Sequence, residues 1–402
     1  MLTPDELLHI AEGAEDIAES LHRDILDRII ERIMVRIGRG DSYILTAQDK
    51  WQLQVLQDAG FLMEDVQKEI AKATGLMNTE IAEAMEDAGV KALARDNEIY
   101  EAAGLSPLPL DQSPNLIRLV QRNYEATAGE WTNFTGAFKT ATSQAYVSAC
   151  DRAYNLVMSG TVSYSQAVKE ALSELVQTGV TVDYGTRKDT IETATRRAVR
   201  TGISQASAAI IDARMEEMDW DIVLVSSHMG ARVTGKGDYT DHASWQGKFY
   251  SKSGKDKRFL PYSVCGPGEI QGIHGANCRH THGVGDGEHN PYEHYDSEEN
   301  RKAYELQQRR NTLEARIRNT KRQVQSLKTA RDNATDDAVR AEYDKDYQKK
   351  AALLQKQNAA YTQFCKDNDL KKRSERVAIA QWDRKQAAAA RAAAKKWSDA
   401  HE

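Results

Sequence analysis

The residues best suited to chemistry cluster near the middle of this 402-residue chain. Seven of its ten histidines fall between His228 and His294, together with Cys265 and Cys278. The block opens Ser226-Ser227-His228-Met229-Gly230-Ala231-Arg232 and continues Asp241-His242-Ala243-Ser244-Trp245-Gln246-Gly247-Lys248-Phe249-Tyr250. It ends His274-Gly275-Ala276-Asn277-Cys278-Arg279-His280-Thr281-His282. Thiolate and imidazole donors suit zinc, which takes four ligands in a tetrahedron at structural sites. Cys265, His274, Cys278 and His280 supply such a set, with eight, three and one residues between successive members. That spacing matches no standard finger or ribbon. The alternative is a hydrogen-bonded polar core, in which Arg279, Asn277 and the histidines tie irregular backbone together.

Two catalytic readings use the same residues. A cysteine beside a histidine can act as nucleophile and base, but no local signature of a cysteine hydrolase accompanies Cys265 or Cys278. Asp241-His242 with Asn277 and His280 suggests a metal-dependent HNH-type nuclease, one histidine activating water and another holding the ion. The short strand-strand-helix spacing of that class is absent. Gly283-Val284-Gly285-Asp286-Gly287 lacks a following Lys-Ser/Thr and is weak as a phosphate cradle.

The flanking elements are mostly helical. Thr3-Pro4-Asp5-Glu6 reads as a capped helix start, and apolar residues at helical spacing run from Leu7 to Ile37, ending near the turn Gly38-Arg39-Gly40-Asp41. Further helical segments are predicted around Ala47–Gln57, Met63–Thr74, Glu80–Asp87 and Lys91–Ala102. Residues 105–114 hold three of the seven prolines and predict a linker. Helical patterns resume at Asn115–Ala126, Gly136–Met158 and Ser163–Val176. Val180–Tyr184 reads as a short strand, Lys188–Met218 as a long helix, and Asp219–Val225 as a buried strand. From Leu306 to Leu327 a heptad-like seam appears, and a second apolar stripe runs from Val339 to Phe364 beyond a polar break at 332–337. This pattern predicts an antiparallel helical hairpin. The stretch Ala387–Lys396 forms helix readily but shows no apolar seam, so it reads as an exposed helix that becomes ordered on binding.

The fold class expected is therefore mainly α with a small central α+β domain. Its parts would be an acidic helical N-terminal domain (1–104), a linker (105–114), a central α+β domain carrying the Cys/His/Arg block (115–296), and a basic helical hairpin and tail (297–402). Charged residues make up 28% of the chain, and the net charge is −6. That modest figure conceals a segregation of charge. Residues 297–402 carry 25 Lys and Arg against 16 Asp and Glu, while residues 1–110 carry 10 against 22. An acidic head and a basic tail point to different partners, protein at one end and nucleic acid or an acidic protein surface at the other. Candidate DNA contacts are Arg309, Arg310, Arg316, Arg318, Lys321, Arg322, Lys395 and Lys396. No run of 18 apolar residues predicts a membrane span, and the start lacks the basic and apolar regions of a secretory signal. Four scattered cysteines do not make a disulfide framework, which fits synthesis in a reducing cytosol.

Several motifs together resemble the tailed-phage minor capsid protein 2 family, a relative of the Mu F-like head morphogenesis proteins. They are Ala231-Arg232, Asp241-His242, Trp245-Gln246-Gly247-Lys248-Phe249 and Gly275-Ala276-Asn277-Cys278-Arg279-His280. Asn290-Pro291-Tyr292-Glu293, the Gln307-Gln308-Arg309-Arg310 series and Lys50-Trp51-Gln52-Leu53 extend the resemblance over most of the chain. The resemblance implies a virion structural protein without a catalytic residue set, present in few copies near the portal vertex, made in the host cytoplasm and built into the head. Its implied partners are portal and capsid proteins, with packaged DNA met through the tail, and its implied task is head assembly with a role in packaging or ejection. It makes Arg232, Asp241, His242, Trp245, Gly247, Asn277, Cys278, Arg279 and His280 a fold-defining motif, with a structural zinc ion as an option. A virion-borne metal-dependent nuclease or other hydrolase, and a DNA- or scaffold-binding helical module, are the rival readings.

Overall fold

A computed structural model describes residues 1–38, 44, 47–183 and 188–401. Arg39 to Asp41 of the expected turn and Tyr184 of the expected strand lie outside the described residues. The described residues are mainly α-helical with a small four-stranded mixed sheet and a two-stranded antiparallel pair, in keeping with the expected fold class.

Helix α1 (Pro4–His9) starts in a full capping box: the Thr3 hydroxyl accepts the Glu6 amide, and the Glu6 carboxylate accepts the Thr3 amide. Helix α2 spans Glu12–Ile37. The four segments expected between Ala47 and Ala102 are one 55-residue helix, α3 (Gln48–Ala102). Glycines within it, such as Gly60 and Gly75, face open space and lower helix propensity without breaking the helix. Two more expected segments likewise fuse into α4 (Pro114–Ser159), with proline at its first position. Helix α5 (Tyr164–Thr178) is capped by Ser163 and stopped by Gly179 in a positive-φ conformation. Strands β1 (Thr181–Asp183) and β2 (Lys188–Thr190) pair antiparallel, so the helix expected from Lys188 begins only at α6 (Ile191–Glu217).

The chain divides into two compact units, whose boundaries fall inside long helices. One unit comprises residues 1–15, 75–132 and 193–309. Its sheet has the order β5-β4-β3-β6, built from β3 (Ile222–Val225), β4 (Phe249–Ser251), β5 (Leu260–Pro261) and β6 (His282–Val284). The central strand β3 pairs antiparallel with both neighbours, placing Val223 opposite Tyr250 and Val284, and Val225 opposite His282. Strand β5 adds in parallel to β4. Ile211 and Met215 of α6 pack with Val223, Val225, Tyr250, Trp245 and Cys278 in one buried cluster. Residues 105–109 run without helix, and Leu110 packs beside Leu93, Leu116 and Ile210.

The other unit comprises residues 16–74, 133–192 and 310–402. Here α2 and the first half of α3 run antiparallel. Arg28, Arg32 and Arg36 reach Glu69, Asp65 and Asp58 in turn, while Trp51 stacks on Tyr154 with ring centroids 5.2 Å apart. Helices α8 (Ser297–Asn333) and α9 (Asp337–Asp367) form the expected hairpin, with Ile317 packed on Leu354 and Tyr361, and Asp336 capping α9. The alanine-rich tail is the ordered helix α10 (Arg384–Asp399), which lies against α9 with Ala390, Ala393 and Ala394 buried. The seam that hydropathy missed is made of alanine, which buries little apolar area per residue but allows close helix approach.

Candidate functional site

The histidine block occupies the sheet-bearing unit, on the short helix α7 (His242–Trp245) and in the loops joining β3, β4, β5 and β6. The loop 266–278 is held by glycines. A Cβ on Gly272 would sit 1.9 Å from the Gly266 carbonyl oxygen, and one on Gly275 would sit 2.4 Å from that of Ile270. His274 and Asn277 adopt left-handed φ values of 60° and 59°, which cost little for residues with short polar or imidazole side chains. Arg232 clamps this loop by donating to the Gln271 and Ala276 carbonyls at 3.0 Å each. Asn277 is exposed, so its contribution is to the turn. Asp241 accepts the Gly235 amide at 3.0 Å, and Trp245 donates to the Tyr239 carbonyl. Gly247 takes a positive φ where a Cβ would crowd Ser227 at 3.1 Å.

This framework brings His242, Cys278 and His280 together, with all three buried and their ligand atoms within 4.8 Å of one another. The Cys278 sulfur lies 3.8 Å from His242 Nδ1 and 3.7 Å from His280 Nδ1, and it accepts the His280 backbone amide at 3.3 Å. His242 Nε2 meets the Gln271 carbonyl at 2.8 Å, and His280 Nε2 meets Gln246 Oε1 at 3.0 Å. His228 stacks on His280 with centroids 4.5 Å apart, and Arg279 reaches His228 Nδ1 at 2.8 Å.

Two of the four ligands expected from sequence, Cys278 and His280, are thus adjacent, and the structure sends the other two elsewhere. His274 bonds Ser204 Oγ and His282 Nδ1, each at 2.8 Å, in a second buried polar chain that continues to Tyr262 and to Asp212. Cys265 sits beside Tyr250. The residue that joins Cys278 and His280 is His242, 36 positions away from the cysteine. No local spacing could have signalled that pairing, because the strand register sets it.

Electrostatics make the cluster neutral. Burial lowers His242 to about 4, with Arg232 adding to the effect against the Gln271 carbonyl. Burial and the neighbouring histidines hold His280 well below its usual range. Burial raises the Cys278 thiol to about 11, although the His280 and His274 amides and two arginines oppose the rise. Cys265 is pushed up to about 12. A protonated thiol is a poor nucleophile, so neither cysteine is prepared for thiol catalysis. The glycine run 283–287 serves packing. At Gly285 a Cβ would meet the Phe249 ring at 2.7 Å, and the Asp286 carboxylate turns back onto the Glu288 and His289 amides.

The basic candidates of the tail divide into two kinds. Arg318 and Lys321 donate to the Arg376 and Val377 carbonyls, and Lys321 lies over the Trp382 ring with burial lowering its pKa. Arg322 pairs with Glu19 and Glu192 at 2.8 and 2.9 Å. Arg310 is partly buried, while Arg309, Arg316, Lys395 and Lys396 are exposed. No described helix is long and apolar enough to cross a membrane.

Among known proteins, no curated sequence and no solved structure matches this chain. A family model described as "Phage minor capsid protein 2" matches residues 2–366, which include the whole Cys/His/Arg block, the α8/α9 hairpin up to Lys366 and the long N-terminal helices. By that match across nearly its entire length, the chain belongs to the phage minor capsid protein 2 family.

Proposed function

We propose that this virion protein is built into the phage head near the portal vertex, where it assists head assembly and the packaging or ejection of DNA. The family match over residues 2–366 carries the reading. The distribution of charge and apolar surface supports it. In the acidic N-terminal region, Leu53, Leu56 and Phe61 of α3 are each more than half exposed, a surface suited to a protein partner. In the basic C-terminal region, Arg316, Lys395 and Lys396 are exposed and suit phosphate neutralisation without sequence preference. The Cys/His/Arg block is the scaffold of the sheet-bearing unit, and a zinc ion as its resident metal belongs to the same reading.

Co-expression with the cognate portal and capsid proteins, followed by mass spectrometry of purified particles, tests the assembly role. Absence from particles removes it. Binding of the full chain to duplex DNA should weaken steeply with salt, and R316A, K395A and K396A should each flatten the log–log slope by about one unit. A metal-dependent nuclease is the second reading, motivated by the His242/His280 proximity. His242 and His280 are almost fully enclosed, which favours the scaffold. DNA cleavage with Mg²⁺, Mn²⁺ or Zn²⁺ that disappears in H242A or H280A would reverse that preference.

A further inference from the structure

The geometry points to a zinc-class divalent metal site held by His242 Nδ1, Cys278 Sγ and His280 Nδ1. The site deepens the scaffold reading of the block and rests on it in one respect, that the ion stabilises the fold and turns over no substrate.

The hydrogens available in this buried space do not match its acceptors. Gln246 Oε1 accepts the His228 backbone amide at 3.0 Å, which fixes the orientation of that side-chain amide. The same oxygen lies 3.0 Å from His280 Nε2, so His280 must carry its proton on Nε2. The Gln271 carbonyl, at 2.8 Å, requires the same of His242, outweighing the longer 3.3 Å approach of Arg232 to that nitrogen. Both Nδ1 atoms are then bare acceptors, and both face the Cys278 sulfur. The thiol has one hydrogen and can serve only one of them. The other would be a buried lone pair with no donor, a cost of about 1–3 kcal/mol in general.

A metal ion removes the conflict. It replaces the thiol hydrogen and accepts all three lone pairs, and the thiol proton leaves to solvent as each ion binds. The Gln271 and Gln246 oxygens already make the outer hydrogen bonds that orient ligating imidazoles. The backbone amide of His280 donates to the sulfur at 3.3 Å, a contact that suits a metal-bound thiolate. A tetrahedral zinc ion sets S···N separations of roughly 3.5 Å, close to the 3.7 and 3.8 Å seen. Sulfur and imidazole donors select zinc over calcium or magnesium, which prefer oxygen.

The test uses the full chain purified without a polyhistidine tag. Elemental analysis should find about one zinc per chain after incubation with Zn²⁺ and desalting. Replacement by Co²⁺ should produce a thiolate-to-cobalt charge-transfer band that is lost in C278S, lost or shifted in H242Q and H280Q, and retained in C265S and H274Q. Chelation should lower the melting temperature of the wild-type chain and Zn²⁺ should restore it, a readout that needs no variant to fold. Less than about 0.2 zinc per chain, a band that survives C278S or vanishes in C265S, copper or iron in place of zinc, or a melting temperature indifferent to chelation would each overturn the assignment. None of these measurements depends on particle incorporation, so the site and the head-assembly reading fail separately.

Discussion

Replacing Arg322 with alanine should damage the fold rather than weaken DNA binding. Glu192 is enclosed, with 1% of its side chain exposed, and Arg322 meets it at 2.9 Å. His22 meets the second oxygen of Glu192 at 2.9 Å while its own Nε2 accepts the Val180 amide at 3.1 Å. Burial by itself would raise the Glu192 carboxyl, yet Arg322 first, then His22 and Thr190, hold it well below the usual carboxylate range. Removing Arg322 leaves that carboxylate buried with its main counter-charge gone. Breaking a buried pair from one side costs about 3–5 kcal/mol. Arg322 keeps 20% of its side chain exposed, so water takes part of the load and the lower end, about 3 kcal/mol, applies. For a unit of roughly 200 residues this is a fall of about 6–12 °C in melting temperature. Differential scanning fluorimetry of R322A and R316A is the assay, and R322M/E192Q should recover part, not all, of the loss, because it removes the enclosed Glu192 charge along with its partner while Glu19 still loses Arg322. If R322A melts within 2 °C of the parent (about the shift that half a kcal/mol produces) and loses DNA affinity as R316A does, the pairing is wrong and Arg322 faces phosphate.

The Glu192 carboxyl is depressed in the folded chain, so its stabilisation is complete above its unfolded value near 4.5 and is lost as pH falls; an acid-denaturation series should show R322A less sensitive than the parent below that pH. Glu6 behaves alike on a smaller scale. Burial would raise it, but Arg95 and Thr3 bring it to about 2, so the contribution of the α1 cap should fade between about pH 4.5 and 2, and T3A should cost on the order of 1 kcal/mol in urea denaturation. G272A should unfold or strongly destabilise the loop 266–278, since its Cβ would overlap the Gly266 carbonyl; a G272A chain melting like the parent would contradict the loop path. Cys150, Cys265 and Cys278 are buried and their thiols are raised to about 12, 12 and 11, so iodoacetamide at pH 8 should leave them unmodified in the native chain and label them after unfolding. Rapid native labelling of Cys278 would expose an open site.

Most helices were readable in the sequence because an amphipathic period needs only local information. The Thr3 cap, the Ser163 start, the polar break before α9 and the strands β1 and β3 stand where residue type and spacing place them, whereas β2 takes residues expected to open a helix. Continuity was not readable. Glycine weakens a helix by about 1 kcal/mol relative to alanine, and whether tertiary packing makes up that loss is decided by neighbours distant in the chain, as the uninterrupted α3 and α4 show. The alanine face of α10 escaped a hydropathy reading for a related reason, since its apolar character appears only once α9 lies against it.

The composition of the site was likewise local, while its assembly was not. Residue types alone placed the donors between His228 and His282 and linked the chain to its family. Which donors meet depended on the register of β3 against β6 and on a glycine-held loop that turns Cys278 toward His242 and His274 away toward Ser204 and His282. Charge divides in the same way. The sequence showed a basic tail, but only the folded chain separates Arg322, which neutralises a buried Glu192, from Arg316, which stands in solvent. A residue's type travels with it along the chain, whereas its partner depends on which distant segments fold against it and on how much water they exclude.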